Sequence, residues 1–210
     1  DGGPNNLVIS LLLVVFKINF SCFFSKFLTP CFFITLLKEQ LVIKNKINII
    51  FIKILMSINY INIYNNLINL TTNKKLYLYL KGPDTFSDRL TLFLLHFAFF
   101  LKNFNSKENK SILQEIYDFN FRQMELSLRE IGYGDQSINK KMKDYLNVFH
   151  AIVSEIHFWN DLNELDKKKK ISTFLENYDQ IDHLIAYFEN FDKDLSKKTL
   201  NSYLKSVNKH

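Results

Sequence analysis

The stretch Leu90-Thr91-Leu92-Phe93-Leu94-Leu95-His96-Phe97-Ala98-Phe99-Phe100-Leu101 is apolar on every side except at Thr91 and His96. As a helix rising about 1.5 Å per residue it reaches roughly 18 Å, short of the ~30 Å of hydrocarbon in a bilayer. A helix that is apolar all round and too short to span a membrane is a buried one. The reading of the chain therefore starts here, with a central core helix that neighbouring elements must cover.

Upstream, Gly82-Pro83 is a stop signal, and Asp84 or Thr85 caps the new helix. Thr85 followed by Asp88 has capping-box spacing, with an acid in place of the usual Glu or Gln. Before the stop, residues 57–70 carry Ile58, Ile61, Leu67 and Ile68 at helical spacing, and residues 74–80 form a short aromatic segment. Downstream, residues 103–110 read as a polar connection. A helix over 111–131 follows, with Leu113, Ile116, Tyr117, Phe121, Met124, Leu128 and Ile131 on its apolar face. Its polar face offers the i,i+4 pairs Asp118 with Arg122 and Glu125 with Arg129, each worth ~0.2–0.5 kcal/mol. Gly132 occupies the position where a left-handed residue closes a helix, and Gly132-Tyr133-Gly134-Asp135 reads as a tight turn.

Ser137 is read as the cap of the next helix, whose period runs through Ile138, Met142, Tyr145, Leu146, Phe149, Ile152, Val153 and Ile156 to Trp159. Residues 167–170, four consecutive lysines, read as a solvated connection. A last helical region holds Phe174, Leu175, Tyr178, Ile181, Leu184, Ile185, Phe188 and Leu195. No segment alternates with period two, and no repeat is visible. The expected class is all-α, an irregular bundle of about six helices.

Composition narrows the function. The 210 residues are 47% hydrophobic and 23% charged, a globular balance for one domain or one with an appendage. Five Gly and three Pro are too few for a collagen or a turn-dense β-sandwich, and two Cys cannot make a disulfide scaffold. The first 55 residues contain no Tyr, Trp, His or Arg, and their six lysines face only Asp1 and Glu39, so most of the net charge of +6 lies there. Both Cys22 and Cys31 lie there too.

The apolar run 7–16 is short, and extending it meets Lys17, Lys26 and Pro30. A lysine near mid-span costs roughly 2.5–3.5 kcal/mol. The opening Asp1-Gly2-Gly3-Pro4 lacks the basic start of a secretory signal, and no Arg precedes Arg89, which argues against a mitochondrial presequence. Residues 1–55 are therefore expected to be translated upstream sequence or a hydrophobic N-terminal extension outside the fold. Residues 56–210 are expected to be the helical domain, starting at Met56.

Few residues suggest chemistry. His96, alone on an apolar helix, reads as a core histidine bonded to a backbone carbonyl or a carboxylate. His150 and His157 are seven apart around Glu155, but no third and fourth metal ligands accompany them. No Gly-rich phosphate loop, nucleophile elbow or HExxH motif occurs. Lys140, Lys141 and Lys143 follow the Ser137 cap closely enough to oppose the positive end of the helix dipole, at ~0.3–1 kcal/mol each. They are either solvated lysines or, with Arg129 across the Gly132 turn, a patch facing an anionic partner.

Two segments carry a resemblance. Asp84-Thr85-Phe86-Ser87-Asp88-Arg89 with Leu95-His96, then Met124-Glu125-Leu126-Ser127-Leu128-Arg129-Glu130-Ile131-Gly132-Tyr133-Gly134-Asp135 and the basic Lys140-Lys141-Met142-Lys143, resemble the ubiquinol–cytochrome c chaperone family in order and spacing over about residues 60–160. Glu125, Ile131 and Tyr133 depart mildly from the usual Asp, Met and Val.

The resemblance implies an all-α protein that is not an enzyme and takes no cofactor or small-molecule substrate. It implies an assembly chaperone that binds the cytochrome b polypeptide during biogenesis of the cytochrome bc1 (ubiquinol–cytochrome c reductase) complex of the respiratory chain. The ribosome or a small partner protein would be further partners, with peripheral membrane contact. The expected location is the cytoplasmic face of a bacterial inner membrane, with the matrix side of the mitochondrial inner membrane as alternative. Arg89, Arg122, Arg129, Lys140, Lys141 and Lys143 are the partner-binding candidates. Asp84, Thr85, His96, Gly132, Gly134 and Asp135 are the structural motif. The alternative function is a small helical nucleic-acid-binding module.

Overall fold

Thr85 sets where the central helix begins. In the computed structural model, which describes residues 41–47, 60–81, 83 and 85–207, the Thr85 hydroxyl accepts the Asp88 amide at 3.2 Å. The Asp88 carboxylate in return accepts the Thr85 amide at 3.0 Å. This reciprocal box satisfies two donors that a helix start leaves orphaned. Asp84 lies outside the described residues.

The chain divides into two units, Asp1–Lys53 and Ile54–His210. In the first, residues 41–47 are helical; the apolar run 7–16 and both cysteines lie outside the described residues. In the second, α1 covers residues 60–71. It is followed by α2 (Phe86–Phe104), α3 (Lys110–Glu130), α4 (Asp135–His157), α5 (Glu164–Phe174), α6 (Ile181–Ser196) and α7 (Leu200–Val207), with single 3-10 turns at Lys74–Leu76 and Trp159–Asp161. The architecture is all-α. The one β-like feature among the described residues is an isolated antiparallel bridge between Leu80 and Tyr178.

α2 packs against α4 and α6, α3 against α4, and α5 against α6. Residues 91–100 of α2 are buried throughout, as an all-round apolar helix requires. The core is aromatic. Phe97 stacks on Phe149 at 5.1 Å between centroids, while Phe99 lies parallel to Phe188 at 5.1 Å and edge-on to Trp159 at 5.3 Å. Each such ring contributes about 1.5–3 kcal/mol by burial, with ~0.5–1.5 kcal/mol more from pair geometry.

Two polar contacts cross this core. His96 Nδ1–H donates to the Leu92 carbonyl at 2.7 Å, and its Nε2 accepts the Tyr187 hydroxyl at 2.8 Å. Lys102 Nζ donates to both Asp192 oxygens at 3.0 Å and to Asn160 at 3.1 Å. The Asn103 amide adds a bond to the same carboxylate at 2.6 Å. These tie α2 to α6. At the other end, the Tyr203 hydroxyl donates to Asn66 at 2.8 Å, joining α7 to α1.

Several local expectations are corrected. The connection after α2 is shorter than 103–110, because Phe104 stays helical and is buried against Phe100 and Tyr203. α4 starts at Asp135 with Gly134 as its N-cap, so Ser137 lies inside the first turn. Residues 167–170 are not a connection. They sit within α5, whose Asn163 cap accepts the Asp166 amide at 2.8 Å. Three of their four charges are taken up, by Glu189 (Lys167), Asp182 (Lys168) and Glu155 (Lys170). The C-terminal region is two helices, since Thr199 and Ser202 exchange hydroxyl–amide bonds that start α7 afresh. Asp118 accepts from Gln114 at 2.9 Å rather than pairing with Arg122. Ile131 is 62% exposed instead of joining the core.

Candidate partner-binding surface

The end of α3 is fixed by its backbone. The Tyr133 amide donates to the Leu128 carbonyl at 3.2 Å and the Gly132 amide to Arg129 at 3.0 Å. This six-to-one, five-to-two pattern is a Schellman closure, and it requires a left-handed residue at the position just past the helix cap, which Gly132 occupies. Gly132 has φ +96°. The Gly134 carbonyl then accepts the Ile138 amide at 3.0 Å and opens α4. Arg129 spans the turn, pairing with Glu125 at 2.8 Å and with Asp135 at the start of α4. Its hydrogen bonds to Glu125 and then Asp135 raise its pKa further.

The turn and the α3–α4 pair place the candidate basic residues in different settings. Arg129 is neutralised by its two carboxylates. Lys141 Nζ lies 4.7 Å from the centroid of the Tyr133 ring, which it covers. Lys140 is exposed beside it. Arg122 and Lys143 line an open groove of about 610 Å³ between α3 and α4, in the company of Asp118 and Glu125. Arg89 stands elsewhere, at the start of α2, 6.0 Å from the Tyr77 ring centroid. Because Lys140 and Lys143 lie beyond the first turn of α4, they oppose its dipole less than a Ser137 cap implied.

Of the structural motif, Thr85 forms the capping box, Gly132 and Gly134 shape the turn, and Asp135 receives Arg129. His96 is fully buried and neutral. Burial lowers its pKa from 6.5 to about 4, partly offset by its bond to Leu92. His150 is 3.1 Å from the Tyr117 hydroxyl and His157 meets Phe158 edge-on. No cluster of His, Cys, Asp or Glu among the described residues is arranged to hold a metal.

A further feature escaped the sequence reading. A cleft of about 310 Å³ opens between α1, the start of α2, the end of α3 and α4. Its walls are Tyr64, Ile68, Thr71 and Thr72 of the α1 end, Phe86, Arg89, Leu90 and Phe93 of α2, Met124, Ser127 and Leu128 of α3, and Tyr145 of α4. The volume and the apolar lining with a few polar groups are those of a binding site. The motif segment 84–89 contributes Phe86 and Arg89 to it, and the segment 124–135 contributes Met124, Ser127 and Leu128.

Residues 78–157 match the ubiquinol-cytochrome C chaperone family. The match contains both motif segments and bears out the resemblance they carry. The fold is also that of a solved structure, the Cbp3 homolog from Brucella abortus, with a TM-score of 0.60 at 22% identity over 75% of this chain and 92% of that one. No match was found among curated proteins. No helix among the described residues is long and apolar enough to cross a membrane. The residues matched to that family include those of the Gly132 turn and several that line the cleft.

Proposed function

We propose that the chain is a non-enzymatic assembly chaperone that binds the cytochrome b polypeptide while the cytochrome bc1 complex is built. It acts at the cytoplasmic face of a bacterial inner membrane, as a peripheral component, with the ribosome or a small protein as additional partner. The observation that carries this reading is the convergence of both family-matched motif segments on one open apolar cleft. A chaperone for a membrane protein must cover apolar side chains that have not yet found their neighbours, and a cleft walled by Phe86, Leu90, Phe93, Met124 and Leu128 can do this by burial alone. Fold similarity to the Cbp3 homolog agrees with it. We propose further that residues 56–210 form the working domain.

The nucleic-acid alternative has less support. Arg129, Lys167, Lys168 and Lys170 are each ion-paired within the fold, and Arg122 and Lys143 share their groove with two acids. Phosphate binding needs cations free to displace counterions.

The test is capture from detergent-solubilised membranes of the source cells through a tag on the full chain. Recovery of cytochrome b, resistant to raised salt, is expected. Absence of cytochrome b together with salt-sensitive recovery of RNA would replace the reading with the alternative.

A further inference from the structure

Residues 129–137, from the last turn of α3 across the Gly132 turn into the first turn of α4, are exposed without a break. A carbon added at Gly132 or at Gly134 would meet nothing within 4 Å. The turn is a tip that stands clear of the fold. It carries two large apolar side chains, Ile131 at 62% exposure and Tyr133 at 41%. Both leave apolar surface in water that burial would recover.

The tip is prepared to leave water. The amides of Ile131, Gly132 and Tyr133 donate to the carbonyls of Ser127, Arg129 and Leu128 at 3.1, 3.0 and 3.2 Å. Its backbone donors are spent internally, as entry into a bilayer interface requires. The Arg129 guanidinium is held between Glu125 and Asp135, so those three charges cancel locally. Lys140 and Lys141 have no ion pair among the described residues. The Lys141 ammonium lies 4.7 Å from the Tyr133 ring centroid, which puts a cation free of any carboxylate beside the apolar tip. Of the two carboxylates within 129–137, only Glu130 is unpaired. A convex tip offers a folded protein no groove to fill, and an RNA would leave Ile131 in water. A lipid surface yields to such a tip. An aromatic ring and an aliphatic side chain with lysines behind them suit the boundary between headgroups and acyl chains.

We infer that the Gly132 turn is a membrane-docking tip: Ile131 and Tyr133 enter the headgroup–acyl boundary of an anionic bilayer, and Lys140 and Lys141 meet its phosphates. The inference rests on the peripheral placement in the proposed function, and it names the surface and the lipid class that bring that placement about.

The test is Tyr133→Trp in the full chain, mixed with phosphatidylcholine vesicles with and without phosphatidylglycerol. Trp159 is buried in the core, and its emission, measured on wild type, is subtracted. The emission of the introduced indole should shift to the blue with phosphatidylglycerol present and be quenched by lipids brominated along the acyl chain. This readout follows the tip itself, whatever the first 55 residues do at the same vesicles. In that background Ile131→Ser should weaken the partition about ten-fold. Lys140→Gln and Lys141→Gln should each weaken it about five-fold, and less at raised salt. Glu130→Gln should strengthen it. All four positions lie on the surface, so native circular dichroism is expected throughout. An emission that neither vesicle moves overturns the inference, as does a partition indifferent to Ile131→Ser or to phosphatidylglycerol. So does an emission that moves with RNA and not with vesicles, which makes the turn a nucleic-acid contact. Should the vesicles leave the emission unmoved while the tagged chain still recovers cytochrome b, the tip is not the docking element although the chaperone reading stands. Should the tip partition as described yet no cytochrome b be recovered, the docking surface is as inferred and the chaperone reading falls.

Discussion

His96 on α2 and Tyr187 on α6 share a hydrogen bond of 2.8 Å inside the core, with the imidazole as acceptor. The histidine can accept only while Nε2 is unprotonated, so the contact holds the ring neutral and ties one helix to the other.

That arrangement makes stability depend on pH. The folded pKa of His96 is lowered to about 4 from an ordinary 6.5, chiefly by burial. Between those values the unfolded chain binds a proton that the folded chain does not, so stability falls as pH drops through the window. At pH 5 the loss relative to pH 7 is about 2 kcal/mol from this group. Urea unfolding at the two pH values checks it. His96→Gln should flatten that part of the pH profile, and an equally steep profile in the variant would assign the dependence to other groups.

Asp192 holds Lys102 and Asn103 at once, with both ends of the ion pair largely buried. Asp192→Ala strands the ammonium and the amide, and should lower stability by roughly 3 kcal/mol. The double change Lys102→Met with Asp192→Leu removes both charges and should recover most of it. Urea midpoints of the single and double variants provide the comparison.

Gly132 has room for a side chain, with nothing within 4 Å of the added carbon, but its φ of +96° is one that other residues resist. Gly132→Ala should therefore cost about 1–2 kcal/mol through backbone strain alone. Gly134, at φ −74°, has no such restriction, and Gly134→Ala should cost less. Thermal melts of the pair separate the two explanations.

The three lysines of α4 bear on partner binding. Replacing Lys140, Lys141 and Lys143 with Glu should leave the melt within about 1 kcal/mol of wild type, since all three lie beyond the first turn and Lys141 loses only its contact with Tyr133. Recovery of a partner with an anionic surface should drop. Unchanged recovery from the folded triple variant would remove these lysines from the binding surface.

The unit boundary is open to a direct check. Residues 56–210 expressed alone should be helical and unfold cooperatively, because every helix from α1 to α7 lies within them. Aggregation of that fragment beside a folded full chain would make the first 55 residues part of the domain.

Legibility in the sequence followed the range of the forces involved. The buried α2, its Thr85 box and the Gly132 closure are local patterns, and each could be read directly. α5 could not: four consecutive lysines resemble a loop, and three of them are accommodated by Glu155, Asp182 and Glu189 from other elements. The Ser137 cap was misread because Gly134 opens α4 through its backbone carbonyl, which leaves no side-chain signature. The cleft was invisible because its walls come from four helices, although Arg89 and the 124–128 segment already stood out as motif.

The most direct measurement of the central claim is the amount of assembled cytochrome bc1 complex and of haem b absorbance in membranes of source cells lacking this chain. Both should fall while other respiratory complexes keep their levels, and both should return with the wild-type chain. Undiminished haem b and bc1 complex in its absence would contradict a role in cytochrome b assembly.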